Sequence, residues 1–257
     1  PDGGYAEGPM YFRCVGRDAG LGTYVYSRAR GRDLDELVPA AMRRCGPFAE
    51  LLISNDASQD LIPICDAKGS HPLISQAIMA RLLPDSAWAR LLHATREHHQ
   101  GWPTALPDKP DAGTAPNMAD AAIAWMLTTD APTPGQQPAP LVIMPDMGPV
   151  AAQRRYGCEW VKLLVQGNHA GAGHTHEDKG SFVLEFAGDT FAVDPGTCSY
   201  SNPLAGVLKT CQRHNMLVPT GVSERPAPQS PLPADVKPHA SGDHTRFHAG
   251  IDATPGW

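Results

Sequence analysis

The densest stretch of residues able to do chemistry is Gly173-His174-Thr175-His176-Glu177-Asp178-Lys179-Gly180-Ser181-Phe182, followed by Phe191-Ala192-Val193-Asp194-Pro195-Gly196. His174 and His176 are read as having separate jobs. Asp194 closes the second strand of a hairpin whose first strand begins shortly after His176, so the two return to one another in space. His214 precedes Asn215 and a strand-like apolar run, Met216-Leu217-Val218. Two imidazoles and one carboxylate can form a zinc set, with N and O donors at about 2.0 to 2.2 Å. Eleven histidines also produce pairs without function, so spacing alone leaves an ordinary structural reading open.

Near the amino end, Asp2-Gly3-Gly4-Tyr5-Ala6-Glu7-Gly8-Pro9-Met10-Tyr11-Phe12 places two tyrosines and a carboxylate in a Gly-rich turn that runs into a helix. Glycine lets a backbone approach a ligand closely, and a helix start offers free N–H groups; an aromatic helix entry with no ligand explains the same residues. His93, His98 and His99 share a helical stretch in which Glu97 completes no H-E-x-x-H pattern, and they read as a solvated face. Gly16 to Gly22 lacks the preceding strand and the Lys-Ser/Thr of a phosphate loop, which argues against a nucleotide site.

The elements that must position these residues divide the chain. From residue 9 to about 100 the apolar spacing is helical: Leu34, Leu37, Val38, Ala41 and Met42 behind a capping Asp33, then Ile74 to Leu83, then Trp88, Leu91, Leu92 and Thr95 behind Asp85 or Ser86. Residues 101–140 are rich in Pro, Asp, Gly and Thr, with a short helical island at Ala119 to Leu127, and read as a linker. Beyond it the period becomes two, in Leu141 to Met144, Trp160 to Val165, Ser181 to Phe186 and Thr190 to Val193, with a hairpin turn at Ala187-Gly188-Asp189. Residues 219–257 hold seven prolines and only weak strand signals. Helices at 1–100, a linker at 101–140 and antiparallel strands at 141–257 give an α+β chain with a helical domain followed by a β-sandwich.

Apolar residues are 42% of the 257, enough for a sizeable core. A net charge of −6 argues against nucleic-acid partners, and no apolar run reaches the roughly 20 residues that span a bilayer. The six cysteines form no C-x-x-C pair and do not fix a compartment. The opening Pro1-Asp2 and closing Gly256-Trp257 are expected to be cut points in a longer protein.

Taken together, Asp-Gly-Gly-Tyr-x-Glu-Gly-x-x-Tyr at 2–11, His-x-His-x-Asp-x-Gly-Ser-Phe at 174–182, Asp194-Pro195-Gly196 with Tyr200 after it, and His214-Asn215 resemble the heparinase II/III-like polysaccharide lyases. The resemblance covers the chain in outline, with the specific motifs confined to about 45 residues. It implies the last part of an (α/α) toroid followed by an antiparallel β-sandwich, with a substrate cleft between them. It implies Tyr11 as the catalytic tyrosine, His174 as the second proton-transfer group, Tyr200 and Arg213 as substrate contacts, and His176, Asp194 and His214 as ligands of a structural zinc, with no organic cofactor. It also implies a periplasmic or secreted location and an upstream Asn or His, before Pro1, that neutralises the substrate carboxylate.

The implied reaction is β-elimination on a uronic-acid-containing acidic glycan, a glycosaminoglycan or alginate. The C5 proton leaves, the O4-linked sugar is expelled, and charge develops on the carboxylate that a donor or cation must stabilise. The acidic net charge counts against a polyanion substrate, although Arg154, Arg155, Lys209 and Arg213 flank the site in sequence and a local field can outweigh the sum. The 257 residues alone are expected to turn over little. Two other readings compete: a zinc-dependent hydrolase with an open coordination position, and a noncatalytic module that binds acidic glycans.

Overall fold

The structure is a computed structural model that describes residues 2–56, 61–68, 73–98, 137–168, 173–220, 227–243 and 245–257. The helical island at Ala119 to Leu127 and most of the linker lie outside the described residues, as does His99.

Helices come first: α1 (Pro9–Cys14), which continues through a π-helical turn (Val15–Ala19) into α2 (Gly20–Arg30), then α3 (Leu34–Leu37), α4 (Ala40–Arg43), α5 (Gly46–Leu52), α6 (Leu73–Leu82) and α7 (Ala87–His98). Asp33 caps α3 as its type predicts, its side chain accepting from the Asp35 N–H at 2.9 Å. The single helix expected across Leu34 to Met42 is instead two, because Pro39 forces Val38 out of the helical region, to ψ 119°. Ser86 rather than Asp85 caps α7, its Oγ accepting from Trp88 N at 3.3 Å. The core of this layer is aromatic. Phe12 stacks on Trp88 with centroids 5.2 Å apart and meets Phe48 edge-on at 5.3 Å, while Trp88 Nε1 donates to the Cys45 carbonyl.

The described residues between α5 and α6, 53–56 and 61–68, are not helical, contrary to the continuous helical reading. Ile53 bridges Leu61, and residues 61–67 form a buried non-helical segment that bends at Cys65, whose φ is 57°.

The second half is an antiparallel meander of β1 (Leu141–Ile143), β2 (Val150–Tyr156), β3 (Glu159–Val165), β4 (Phe182–Phe186) and β5 (Asp189–Ala192), in that spatial order, followed by α8 (Leu204–Leu208). A separate two-stranded ribbon, β6 (His239–Gly242) and β7 (Phe247–Gly250), packs against β1 and β2, so the architecture is α+β with the beginnings of a sandwich. The β4–β5 turn is Ala187-Gly188, since Asp189 already pairs with Phe186, and both turn residues take the positive φ of a two-residue hairpin. Strand β2 went unread because Val-Ala-Ala-Gln-Arg-Arg-Tyr shows no alternation; its first four residues are all buried. The run Met216 to Val218 is not a strand, and Leu217 is almost fully exposed.

Helices and sheet are joined by a buried polar network. Glu50 on α5 accepts from Gln153 Nε2 on β2 at 2.7 Å and pairs with Arg90 on α7. Lys162 on β3 donates to the carbonyls of Glu50 and Ile53, and Glu185 on β4 accepts from Ser54 Oγ and from Asn55 N.

Candidate active site

Tyr11 owes its place to the residues before it. Asp2 accepts from the N–H groups of Asp146 and Met147 at 2.8 and 3.0 Å, tying the amino end to the β1–β2 loop. Gly8, at φ 79°, precedes Pro9 at the first turn of α1, and a Cβ there would stand 2.9 Å from Cys65 Cβ. Phe12 is locked in the core, which leaves its neighbour Tyr11 at the surface of the helical layer. The Gly-rich entry is thus explained by close backbone packing.

His174 arrives from the sheet side. Residues two apart on a regular strand share a face, so spacing alone does not give the two histidines different jobs. The separation comes from the backbone: His174 adopts φ 69°, a left-handed conformation rare outside glycine. Its ring stacks on Tyr11 with centroids 3.8 Å apart and planes 20° apart. The phenol and imidazole, 163 residues apart in sequence, thus face one another across the helix-to-sheet boundary.

Tyr200 completes the surface cluster. Its hydroxyl lies 2.6 Å from that of Tyr11 and 3.0 Å from His174 Nδ1. Beneath all three is Asp66, at the bend of the 61–67 segment, which the sequence reading did not single out. Its side chain is fully buried. Oδ2 receives Tyr200 OH at 2.8 Å, His174 Nδ1 at 2.8 Å and Lys209 Nζ at 2.7 Å, and Oδ1 meets His176 Nε2 at 2.9 Å. Burial pushes this carboxyl up, but the hydrogen bonds from Lys209, His176, Tyr200 and His174 outweigh it and hold the group well below the usual carboxylate range. The Tyr200 phenol is pushed well above its ordinary value by burial and by its hydrogen bonds to Tyr11 and Asp66, so it stays protonated at neutral pH.

Behind this surface, His176, Asp194 and His214 are all buried and offer ligand atoms within 4.8 Å of one another. Asp194 follows β5, and Gly196 turns the chain at φ 54° against the Ala67 carbonyl, where a side chain would collide. His214 Nδ1 lies 3.2 Å from Asp194 Oδ2; burial lowers its pKa, and the Asp194 hydrogen bond and charge more than reverse this, for a net rise. His176 Nδ1 and His214 Nε2 are buried with no hydrogen-bond partner among the described residues. Nearby, Asp178 is buried with neither carboxylate oxygen hydrogen-bonded and Lys179 Nζ 3.9 Å away; burial raises its pKa. Bare buried nitrogens beside a carboxylate fit a divalent ion with N and O ligands.

The basic residues expected to flank the site separate. Lys209 joins it, through Asp66 and across the Tyr200 ring at 5.6 Å. Arg213 is exposed beside His214 and takes no part in the Asp66 network. Arg154 and Arg155 point elsewhere, bonding the carbonyls of Thr245 and Cys158 and covering the rings of Phe247 and Trp160. They sit at the β2–β3 hairpin end, and alternation along a strand could not have revealed that.

The helical layer thus meets the antiparallel sheet at a Tyr–His–Tyr cluster, with His176, Asp194 and His214 buried behind it. Residues 136–257, a little under half of the chain, match the family described as "Heparinase II/III-like, C-terminal". Among solved structures it is similar to one titled heparinase III, with TM-score 0.57 and 14% identity over 94% of this chain and 34% of that one. It is similar also to heparan sulfate lyase HepC from Pedobacter heparinus, with TM-score 0.51 and 17% identity over 84% of this chain and 31% of that one. At such identities the likeness is one of fold, and the chain spans about a third of the length of these structures. No curated relative matches it. Among the described residues, no helix is long and apolar enough to cross a membrane.

Proposed function

We propose that this chain carries the proton-transfer part of a polysaccharide lyase acting by β-elimination on a uronic-acid-containing glycan, of the glycosaminoglycan class that the names of its structural neighbours indicate. The observation that carries the reading is the stacking of Tyr11 on His174 with the Tyr200 hydroxyl at 2.6 Å. Such a pair, open to the surface and backed by a buried charge network, is placed for proton exchange with a sugar ring.

An unperturbed phenol needs about 4 kcal/mol to ionise at pH 7. A protonated imidazole stacked on the ring acts in the direction that reduces this cost, since a nearby positive charge favours the phenolate. As phenolate, Tyr11 takes the C5 proton. The electron pair of that C–H bond becomes the C4–C5 double bond, the C4–O4 bond breaks, and the leaving oxygen receives a proton from Tyr11. His174 is the second proton-transfer group. Tyr200, kept protonated by Asp66, donates and accepts without ionising, and Lys209 adds positive charge beside the cluster.

His176, Asp194 and His214 would hold a zinc ion, which would supply structural cross-linking of the strand ends behind His174. The protein is expected outside the cytoplasm, where such polymers occur. The test is incubation of the full-length protein with heparan, chondroitin, hyaluronan and alginate under ultraviolet detection. Unsaturated products support the reading, and saturated products overturn it in favour of a zinc hydrolase, for which chelation would abolish turnover outright. An acidic glycan bound but left intact would mark a binding module.

A further inference from the structure

We propose that Asp66 is a positioning residue that couples the surface cluster to the metal-ligand set by fixing the proton positions of His174 and His176 at once. For His174 the inference rests on the lyase reading; for His176 it rests on geometry alone.

Asp66 lies at the only place where the two sets of residues share a partner among the described contacts: Oδ1 faces His176 Nε2 at 2.9 Å, and Oδ2 faces His174 Nδ1 at 2.8 Å. An ammonium at 2.7 Å and a phenol hydroxyl at 2.8 Å also point at Oδ2. Both are donors to Oδ2, and the ammonium's charge holds Asp66 as a carboxylate, which has only acceptors on its two oxygens. Each ring nitrogen that faces it must then carry a hydrogen. For His176 that puts the proton on Nε2 and leaves Nδ1 bare in the neutral ring. Nδ1 is the very atom found buried without a hydrogen-bond partner among the described residues. A carboxylate that orients an imidazole and leaves its far nitrogen for a metal is a known way of raising ligand basicity.

For His174 the same logic puts a hydrogen on Nδ1, so Nε2 is the nitrogen that exchanges a proton with substrate. For Tyr200 it commits the hydroxyl hydrogen to Asp66, so the 2.6 Å contact with Tyr11 has Tyr11 donating and Tyr200 accepting. The backbone reinforces the arrangement, with Asp66 N donating to the His174 carbonyl at 3.1 Å. An asparagine would break the pattern even though it fits the space. It has one acceptor oxygen and an amide that donates, so one of the two histidines must reverse its tautomer.

The test uses the full-length protein. In the wild type, long-range ¹H–¹⁵N spectra should show hydrogen on Nε2 of His176 and on Nδ1 of His174; the opposite tautomer at either ring overturns the proposal, with no variant needed. In Asp66→Asn, zinc affinity measured against a competing chelator should fall roughly 10- to 100-fold. On the glycan that the wild type cleaves, kcat should fall roughly 100-fold or more with KM changed less than about threefold. Asp66→Glu, which restores an acceptor carboxylate on a longer arm, should recover part of both losses. A variant with wild-type zinc affinity and wild-type kcat overturns the proposal, and if Tyr11→Phe is inactive in the same assay the lyase reading survives that failure. If the wild type makes no unsaturated product, the lyase reading fails, while the spectra and the zinc titration still decide the role of Asp66.

Discussion

Two buried polar clusters cross from the helical layer to the sheet, one built on Glu50 and Lys162, the other on Asp66, and they differ in how completely they are closed. In the first, both carboxylates and the lysine ammonium have protein partners, and among its described side chains the Asn55 amide nitrogen is the buried atom without one. Glu50 is shared between Gln153 and Arg90, Lys162 between two carbonyls, and Glu185 between Ser54 and Asn55. In the second, His176 Nδ1, His214 Nε2 and the Asp178 carboxylate have no hydrogen bond among the described residues, and Tyr11 and Tyr200 open to the surface. A buried polar group left unpaired costs about 1–3 kcal/mol. The closed cluster fastens two layers together; the open one keeps the bare atoms that the proposed zinc would engage.

The sharpest way to break that contrast is to alter each cluster and read both activity and stability. Tyr11→Phe removes one exposed hydroxyl and should lower formation of unsaturated product by roughly 10²- to 10⁴-fold while leaving the urea midpoint unchanged. His174→Ala should do the same within that range. A Tyr11→Phe protein that keeps more than a tenth of wild-type turnover would remove Tyr11 from the chemistry.

Glu50→Ala is the converse experiment. It strands Arg90 and Gln153 in a dry interface, and breaking a buried pair on one side costs about 3 kcal/mol or more. The variant should unfold at markedly lower urea, yet at low temperature the folded fraction should keep its turnover. Equal loss of activity per folded molecule would mean that the two clusters are not separable.

Metal removal tests the open cluster from the other side. Chelation, or His214→Ala, should lower the thermal midpoint by roughly 5–10 °C and leave a measurable part of the lyase activity, because the ion would brace the strand ends behind His174. A midpoint that does not respond to zinc would leave the bare nitrogens without an explanation.

How much of this was legible beforehand follows from which contacts are local. His176 and Asp194 can be brought together from the sequence because the β4–β5 hairpin returns the chain to its start, and alternation reveals a hairpin; His214 stands before Met216-Leu217-Val218, a run that is not a strand. Asp33 and the helices α6 and α7 were found from caps and spacing. Asp66 is not legible, because it sits in a short non-helical stretch, Ile62-Pro63-Ile64-Cys65-Asp66, between helices, and its partners lie 108 to 143 residues away. The proline and the loss of helical period there were the available signal. Lys209 could be placed near the site, but Arg154 and Arg155 could not be placed away from it, because a hairpin's length decides which charges reach a cleft. The Glu50 cluster was invisible for the same reason as Asp66: a lysine in the middle of an apolar strand says that it is paired, but not with what.

That lysine gives the finest test of the closed cluster. Burial pushes Lys162 down to about 8, against the opposing charges of Glu185 and Glu50. In an unfolded chain a lysine titrates near 10.4. Between these values the unfolded chain holds a proton that the folded one has released, so stability gained from this group rises with pH from about 8 to 10.4; below about 8 both states are charged and the slope vanishes. Over the full window the gain is roughly 3 kcal/mol. Lys162→Met removes the titration, so the stability difference, wild type minus variant, should be flat from pH 6 to 7.5 and climb through pH 9 to 10 in urea unfolding. A difference that stays flat through pH 10 would mean that Glu50 and Glu185 keep the ammonium charged. The closed cluster would then be a true ion network, and the contrast with the Asp66 site would lie only in the unpaired atoms of His176, His214 and Asp178.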